Sequence, residues 1–308
     1  MNDVMHEAVM ETSQTAPAAM TPVRPFFWSV RRELWENRSI YLVPVAVAIV
    51  ALFGFLLSTI GMPQRRRAVL LLDEAHQRAG IGEPYYATAM IVVAIAFILG
   101  AFYCLDALYG ERRDRSILFW KSLPVSDRTT VLSKAIIPLV VLPSINFAII
   151  LVLHLVMAVW STLLLLTAGL ASSMVFVQYR YIPSPFIVLY GLIAFALWHA
   201  PIYAYLLLVS AWARRAVILW AVMPFVIVMI FETLTFHTSH FAKLIGYRLY
   251  GGFGEAFAIP AKQLKGIQAP THITPLNFLM SPGLWIGLLL AAACLAAAIR
   301  VRRNREPI

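Results

Sequence analysis

Long apolar runs separated by short charged stretches make up most of this chain. A membrane-crossing helix needs about 20 mostly apolar residues to traverse about 30 Å of hydrocarbon. Six runs meet that requirement, at about 41–60, 86–109, 135–160, 185–212, 216–236 and 283–301. The pattern predicts an all-α polytopic membrane protein with six transmembrane helices. The stretch 161–177 is apolar but broken by Gly169, Ser172 and Ser173. Two readings stay open for it: a seventh span, or a continuation of the third helix ending in a re-entrant turn.

The segments between the runs carry their own patterns. Residues 1–25 lack the apolar core of a cleavable signal and read as a disordered tail. In Pro25–Ile40, Phe27, Val30, Leu34 and Trp35 recur near helical spacing, with Arg31, Arg32, Glu33 and Glu36 between them. That pattern predicts a helix over 26–38 lying in the membrane interface. The 239–282 segment mixes glycines and prolines with Phe241, Tyr247, Tyr250, Phe253 and Phe257. It predicts short helices dipping into the outer leaflet. Pro138 and Pro143 in the third span, Pro201 in the fourth and Pro224 in the fifth each remove a backbone donor and favour a kink.

Composition and charge then set orientation. Hydrophobic residues make up 61% of 308 positions and charged residues 13%, against about a quarter charged in soluble domains. The formal charge of +10 belongs to short loops and chain ends, so it predicts orientation and not a nucleic-acid partner. With six spans and an inner N-terminus, inner segments hold 16 Lys and Arg and outer segments 9. Both termini are therefore expected in the cytoplasm, with 304–308 a short tail there. The Arg65–Arg67 cluster runs against this tally. Arginine outnumbers lysine 20 to 5, a bias of GC-rich bacterial genomes, which places the chain in a bacterial plasma (inner) membrane. Cys104 and Cys294 lie inside apolar runs without disulfide or metal-ligand spacing and read as small hydrophobes, so no metal site is expected.

The densest charge falls in one island between the second and third runs, Glu111–Lys134, ERRDRSILFWKSLPVSDRTTVLSK. Acidic and basic residues lead into Ile117, Leu118, Phe119 and Trp120. Pro124 ends any helix there, because it lacks an N–H and disfavours helical geometry at Leu123. Ser126 is placed to cap a second helix, with Asp127 favourable in its first turn. The island thus predicts a short helix, a rigid turn and a helix re-entering the membrane.

Those residues resemble the cytoplasmic segment of ABC-2 type permeases, the membrane subunits of a class of ABC exporters. The resemblance rests on acidic Glu111, the helix Ser116–Trp120, the turn Ser122–Leu123–Pro124–Val125–Ser126 and basic Lys134. Six spans, inner termini, an interfacial N-terminal helix and a long outer segment before the last span extend it over 26–303. It implies a coupling helix docking on a separate ABC ATPase subunit, which would hold ATP and Mg. Ile117, Phe119 and Trp120 would fill an apolar socket, with Arg112, Arg113, Arg115 and Lys121 on its rim and Glu111 or Asp114 pairing with a basic residue of the ATPase. It also implies a dimer with a second permease copy or a paralogue. The sequence carries no GxxxxGK[ST] phosphate loop, so neither a bound cofactor nor enzymatic activity of its own is expected.

Ionisable residues inside the runs are costly and face protein or a cavity. Asp106 suits a pair with a neighbouring basic residue. His154 and His199 suit hydrogen bonds between helices, with candidate roles in a transport pathway. Glu232, in the outer part of the fifth span, is open to a structural role or, as the resemblance implies, to lining an exit route. Two other classes remain: a non-transporting scaffold or sensor bound to an ATPase, and a membrane-embedded enzyme using His154, His199, Asp106 and Glu232. The second lacks HExxH, GxSxG or clustered carboxylates.

Overall fold

A computed structural model describes residues 23–70, 72–122, 125–169, 179–180, 182–257 and 273–304. The expected tail at 1–25, apart from its last residues, and the tail beyond Asn304 lie outside that set. Of the described residues 89% are helical and none lies in a strand. In chain order the helices are α1 (Val23–Glu36), α2 (Ser39–Ser58), α3 (Met62–Leu70), α4 (Glu74–Ala107), α5 (Tyr109–Arg113), α6 (Ser116–Ser122) and α7 (Asp127–Ile136). A π-helical turn, Ile137–Val141, joins α7 to α8 (Leu142–Thr167). Then follow α9 (Pro185–Trp212), α10 (Val217–Phe236), α11 (His240–Phe257), α12 (Pro275–Met280) and α13 (Pro282–Asn304). Among the described residues six helices are long and apolar enough to cross a membrane: Ser39–Ser58, Gly80–Arg113, Asp127–Thr167, Pro185–Trp212, Val217–Phe236 and Pro282–Asn304. The chain is an all-α multi-pass membrane protein.

The third span is the most informative of the six. It runs 41 residues without interruption, roughly 60 Å at 1.5 Å per residue, twice the hydrocarbon thickness. It begins eight residues before, and ends seven after, the apolar stretch at 135–160. Helical hydrogen bonding extends across polar residues wherever packing supports it. Two prolines five residues apart would each clash with the carbonyl four residues back. The wider π turn over Ile137–Val141 takes up Pro138 and precedes Pro143, so the helix passes both. It stops at Gly169, whose φ of +67° ends a helix without steric cost. The part of 161–177 that is described is therefore the end of the third helix.

α9 forms the centre of the bundle and α10 its edge: 61% of the apolar window of α9 is buried but only 11% of that of α10. Between membrane helices there is little water to expel, so close approach of small side chains does the work. Ala200 and Ala204 of α9 meet Ala291 and Cys294 of α13 in that way. Trp198, Phe257, Phe278 and Leu284 fill one end of the bundle. Ile40, Tyr103, Cys104, Val131, Tyr203 and Leu207 fill the other.

α11 does not lie apart from the bundle as a plain loop. Trp198, the middle of the 28-residue α9, donates from Nε1 to the Arg248 carbonyl at 2.9 Å. Gly252 permits that approach, because a Cβ there would come within 2.6 Å of the Trp198 ring.

α1 corrects the simple amphipathic expectation. Phe27, Trp28 and Trp35 point away from the protein, with Arg31 over both tryptophan rings at 5.1 and 4.5 Å. The opposite face is not uniformly apolar: Val30 and Leu34 pack on the core, and the carboxylate of Glu33 is turned inward between them, 1% exposed. An interfacial helix read as one polar and one apolar face would leave Glu33 in water.

Candidate functional site

The two ends of the charged island meet. Lys134 Nζ lies 3.1 Å from Glu111 Oε1 and 2.8 Å from Glu33 Oε1. Arg302 of α13 reaches Glu111 Oε2 at 2.6 Å and Asp127 Oδ1 at 3.1 Å. Arg32 Nη2 contacts Glu33 at 2.8 Å and Glu111 at 3.2 Å, and the Tyr103 hydroxyl donates to Glu33 Oε2 at 2.8 Å. Three cations and three carboxylates from α1, α5, α7 and α13 thus form one largely buried cluster, joined from α4 by Tyr103. The exposed Glu36 adds a fourth carboxylate 3.4 Å from Arg32 at its edge. Burying an ion is expensive unless its partners compensate it, and here each carboxylate has at least one cation against it. The cluster is a clasp that ties both described ends of the chain to the second, third and sixth spans.

Glu33 shows the balance most clearly. Burial works to raise its pKa, but the Lys134 ammonium and its hydrogen bond, then Arg32 and Tyr103, hold the carboxyl below its ordinary value.

Around the clasp the island is built with alternating inward and outward parts. Ser210 Oγ of α9 accepts from the N–H groups of Leu108 and Tyr109 at 3.0 and 2.9 Å, where α4 breaks before α5. Arg112 folds inward, 2% exposed, and its Nη2 donates to the carbonyls of Ser210 and Ala213 at 2.9 and 2.5 Å. It thereby satisfies carbonyls that the last turn of α9 leaves open. Arg113 and Asp114 then point outward and pair with each other at 3.0 Å, with Asp106 3.7 Å from Arg113. Arg115 turns the chain with φ +57°, a left-handed conformation unusual for a side-chain-bearing residue. Ser116 Oγ donates back to the Glu111 carbonyl at 3.4 Å, and Ile117 is buried at 1% exposure. Leu118 and Phe119 are 58% and 59% exposed. After the turn, Ser126 caps α7 by accepting from the Thr129 N–H at 3.1 Å, and Asp127 sits in the first turn.

Set against the expectations, Glu111, Arg112 and Ile117 face inward and do not form part of an exposed rim or plug. Arg113, Asp114, Arg115, Leu118 and Phe119 face out. The side chains of Trp120 and Lys121, and the whole of Pro124, lie outside the described residues.

The candidate pathway residues do not converge. His154 Nε2 lies 3.0 Å from the Tyr85 carbonyl of α4. His199 lies 2.8 Å from the Phe195 carbonyl and 3.2 Å from the Leu249 carbonyl of α11. Each histidine thus bridges its span to a different neighbour. Glu232 accepts from Thr238 Oγ1 at 2.7 Å and from the His240 and Phe241 N–H groups at 2.6 and 2.8 Å. It caps the start of α11, where a carboxylate is favoured by unpaired N–H groups and the helix dipole. Among the described residues no three His, Cys, Asp or Glu side chains cluster as metal ligands would.

Sequence reasoning did not single out Glu33, Arg302 or Arg248. A signal existed for the first two. Glu33 shares the helical face of Val30, Leu34 and Asn37, and Arg302 continues the buried stripe Ala291, Cys294 and Ala298. A charge on an apolar stripe marks a partner across the interface.

The chain matches no protein-family model, no curated protein and no solved structure.

Proposed function

We propose that the chain is the membrane subunit of an ATP-driven exporter of the ABC-2 type, coupled through α6 to a separate ATPase. The observation that carries this reading is the union of an outward apolar edge with an inward ionic anchor. Leu118 and Phe119 are presented to a partner, while Ile117 and Glu111 on the same short segment are fixed inside the bundle. Movement imposed on the edge reaches three spans directly, through Glu111 to Lys134 and Arg302. A loop that only rested on headgroups would need no such anchor.

In this reading both termini and α6 lie in the cytoplasm of a bacterium and the ATPase supplies ATP and Mg. A second permease copy or a paralogue completes the dimer, and α11 is a re-entrant element in the outer leaflet. Its contact with the middle of α9 supports that depth. An amphipathic or lipid-like cargo suits a pathway walled by spans whose outward residues are apolar, such as Ile218, Ile227 and Phe231 of α10.

The test is co-purification of the chain with its co-expressed neighbours. An ABC ATPase is expected to accompany the wild type, and Leu118→Ser with Phe119→Ser is expected to release it while the permease still folds. If no ATPase accompanies the wild type, or if the variant retains it with unchanged ATP turnover, the coupling reading fails. An intact complex that moves no fluorescent lipid or amphiphile in vesicles would favour the scaffold.

A further inference from the structure

A second feature of the clasp end lies beside the ionic cluster, whose Asp127 and Arg302 border it, and away from α6. Between the start of α7 and the last turns of α13 lies an open groove of about 1070 Å³. One wall is a strip of α13: Ala293, Ala296, Ala297 and Arg300 fall at i, i+3, i+4 and i+7 and so share a face. From Ala293 to Arg300 the strip is roughly 10 Å long. The rim is cationic. Arg128 from α7 and Arg300 and Arg303 from α13 are all exposed, and among the described residues none has a carboxylate within ion-pair distance. The carboxylate that lines the groove, Asp127, is already engaged by Arg302.

A smooth apolar wall leading to three uncompensated guanidinium groups suits one kind of occupant, an amphiphile with an anionic head. Its place in the fold adds to this. The groove opens where an apolar span gives way to its basic end. Arginine forks match phosphate oxygens in geometry as well as charge, and basic pockets between spans take anionic lipid headgroups. The alanine strip offers an acyl chain a surface without protruding side chains.

We propose that this groove is a site for an anionic phospholipid, with the phosphate held by Arg128, Arg300 and Arg303 and an acyl chain along Ala293–Ala297. The lipid bridges α7 and α13, the two helices already joined by Asp127 and Arg302, and so reinforces the clasp. The site requires no ATPase and stands whether or not α6 couples to one.

The experiment uses the full chain, delipidated in a neutral detergent and titrated with phosphatidylglycerol or phosphatidylcholine, with bound lipid counted by native mass spectrometry. Phosphatidylglycerol is expected to bind at least about tenfold more tightly than phosphatidylcholine, and Arg128→Gln/Arg300→Gln/Arg303→Gln to erase that preference. Arg214→Gln/Arg215→Gln, which removes two exposed arginines at the same end of the bundle, is expected to keep it. All five positions are exposed, so neither variant removes a side chain from the packed core. A parallel melting curve should show phosphatidylglycerol stabilising the wild type and the control but not the triple variant. Equal binding of the two lipids overturns the proposal, as does a triple variant that binds like wild type or a control that loses as much. Full competition by inorganic phosphate at the same concentration overturns the lipid in favour of a free anion. A dimer that the triple variant dissociates overturns it in favour of a second copy of the chain.

Discussion

The two ends of the bundle bury an arginine in opposite ways. At the clasp end Arg302 meets Glu111 at 2.6 Å and Asp127 at 3.1 Å, and the surrounding cations and carboxylates balance. At the other end Arg248 of α11 has no carboxylate against it among the described residues. Its Nη1 donates to the Gly283 carbonyl at 2.9 Å and its guanidinium lies 4.8 Å from the Trp198 ring centroid. Nε and Nη2 are buried without an acceptor among the described residues. The clasp end is therefore held by matched charge across four helices. The opposite end is held by close packing at Gly252 and Gly287, with a cation accommodated at a cost. For a protein proposed to transmit motion, the first is the stiff end and the second the end with least to lose on rearranging.

The largest effect is expected at the clasp. Glu111→Ala leaves Lys134, Arg302 and Arg32 with one carboxylate fewer in a buried site, and breaking such a pair typically costs about 3–5 kcal/mol. Reversible unfolding in mixed micelles measures it, and a loss below about 1 kcal/mol would mean that water, not the clasp, balances these charges. Next comes the packed end. A Cβ at Gly287 would overlap the Arg248 guanidinium, so Gly287→Ala forces that side chain out at about 1–3 kcal/mol. Arg248→Ala in the same chain should recover most of the loss. Additive effects in that double-mutant cycle would show that the two do not share one space.

How much of this was legible in the sequence depends on the kind of signal. Six spans were legible because apolar runs of that length have few other folds open to them. Ser126 as a cap with Asp127 behind it was legible because capping is local. The inward turn of Arg112 was not: its acceptors, the carbonyls of Ser210 and Ala213, lie about a hundred residues away, and no local pattern marks a helix end in search of a donor. The full length of the third span was legible only in parts. Ser126 marked a helix re-entering the membrane, and continuation past residue 160 was one of two readings. Hydropathy alone bounds the span at 135–160, because it ends a helix where polar residues begin. Lys134 and Asp127 remain helical because Glu33, Glu111 and Arg302 receive them. Nothing local marks Arg248 either, because its neighbours Trp198 and Gly283 lie in α9 and α13.

The pH dependence of the clasp is a smaller, graded test. The folded-state pKa of Glu33 is lowered, so the stability it contributes is fully present above its unfolded value of about 4.3. That contribution is lost as pH falls through the folded value. Melting temperature followed from pH 7 downward should hold and then decline below about pH 4.3. Glu33→Gln should start lower and decline less steeply. A wild type that loses stability between pH 7 and 5 would point instead to a group that titrates higher, away from this carboxylate.

The smallest expected effect separates the two ends most sharply. Replacing a compensated buried ion with a hydrocarbon leaves its former partners stranded, whereas replacing an uncompensated one removes a desolvation penalty. Arg302→Leu takes from Asp127 its cation and leaves Glu111 only Lys134 and Arg32, and it belongs with the large losses. Arg248→Leu strands only the Gly283 carbonyl and gives up a ring contact of about 0.5–2 kcal/mol. In return it frees two guanidinium nitrogens from an acceptor-free site. Its net effect is expected within about 1 kcal/mol of zero, with either sign. A loss of several kcal/mol would show that Arg248 has a counter-charge in the assembled protein, supplied by a second copy or a bound anion. The opposite end would then be as charge-matched as the clasp, and the contrast in stiffness would disappear.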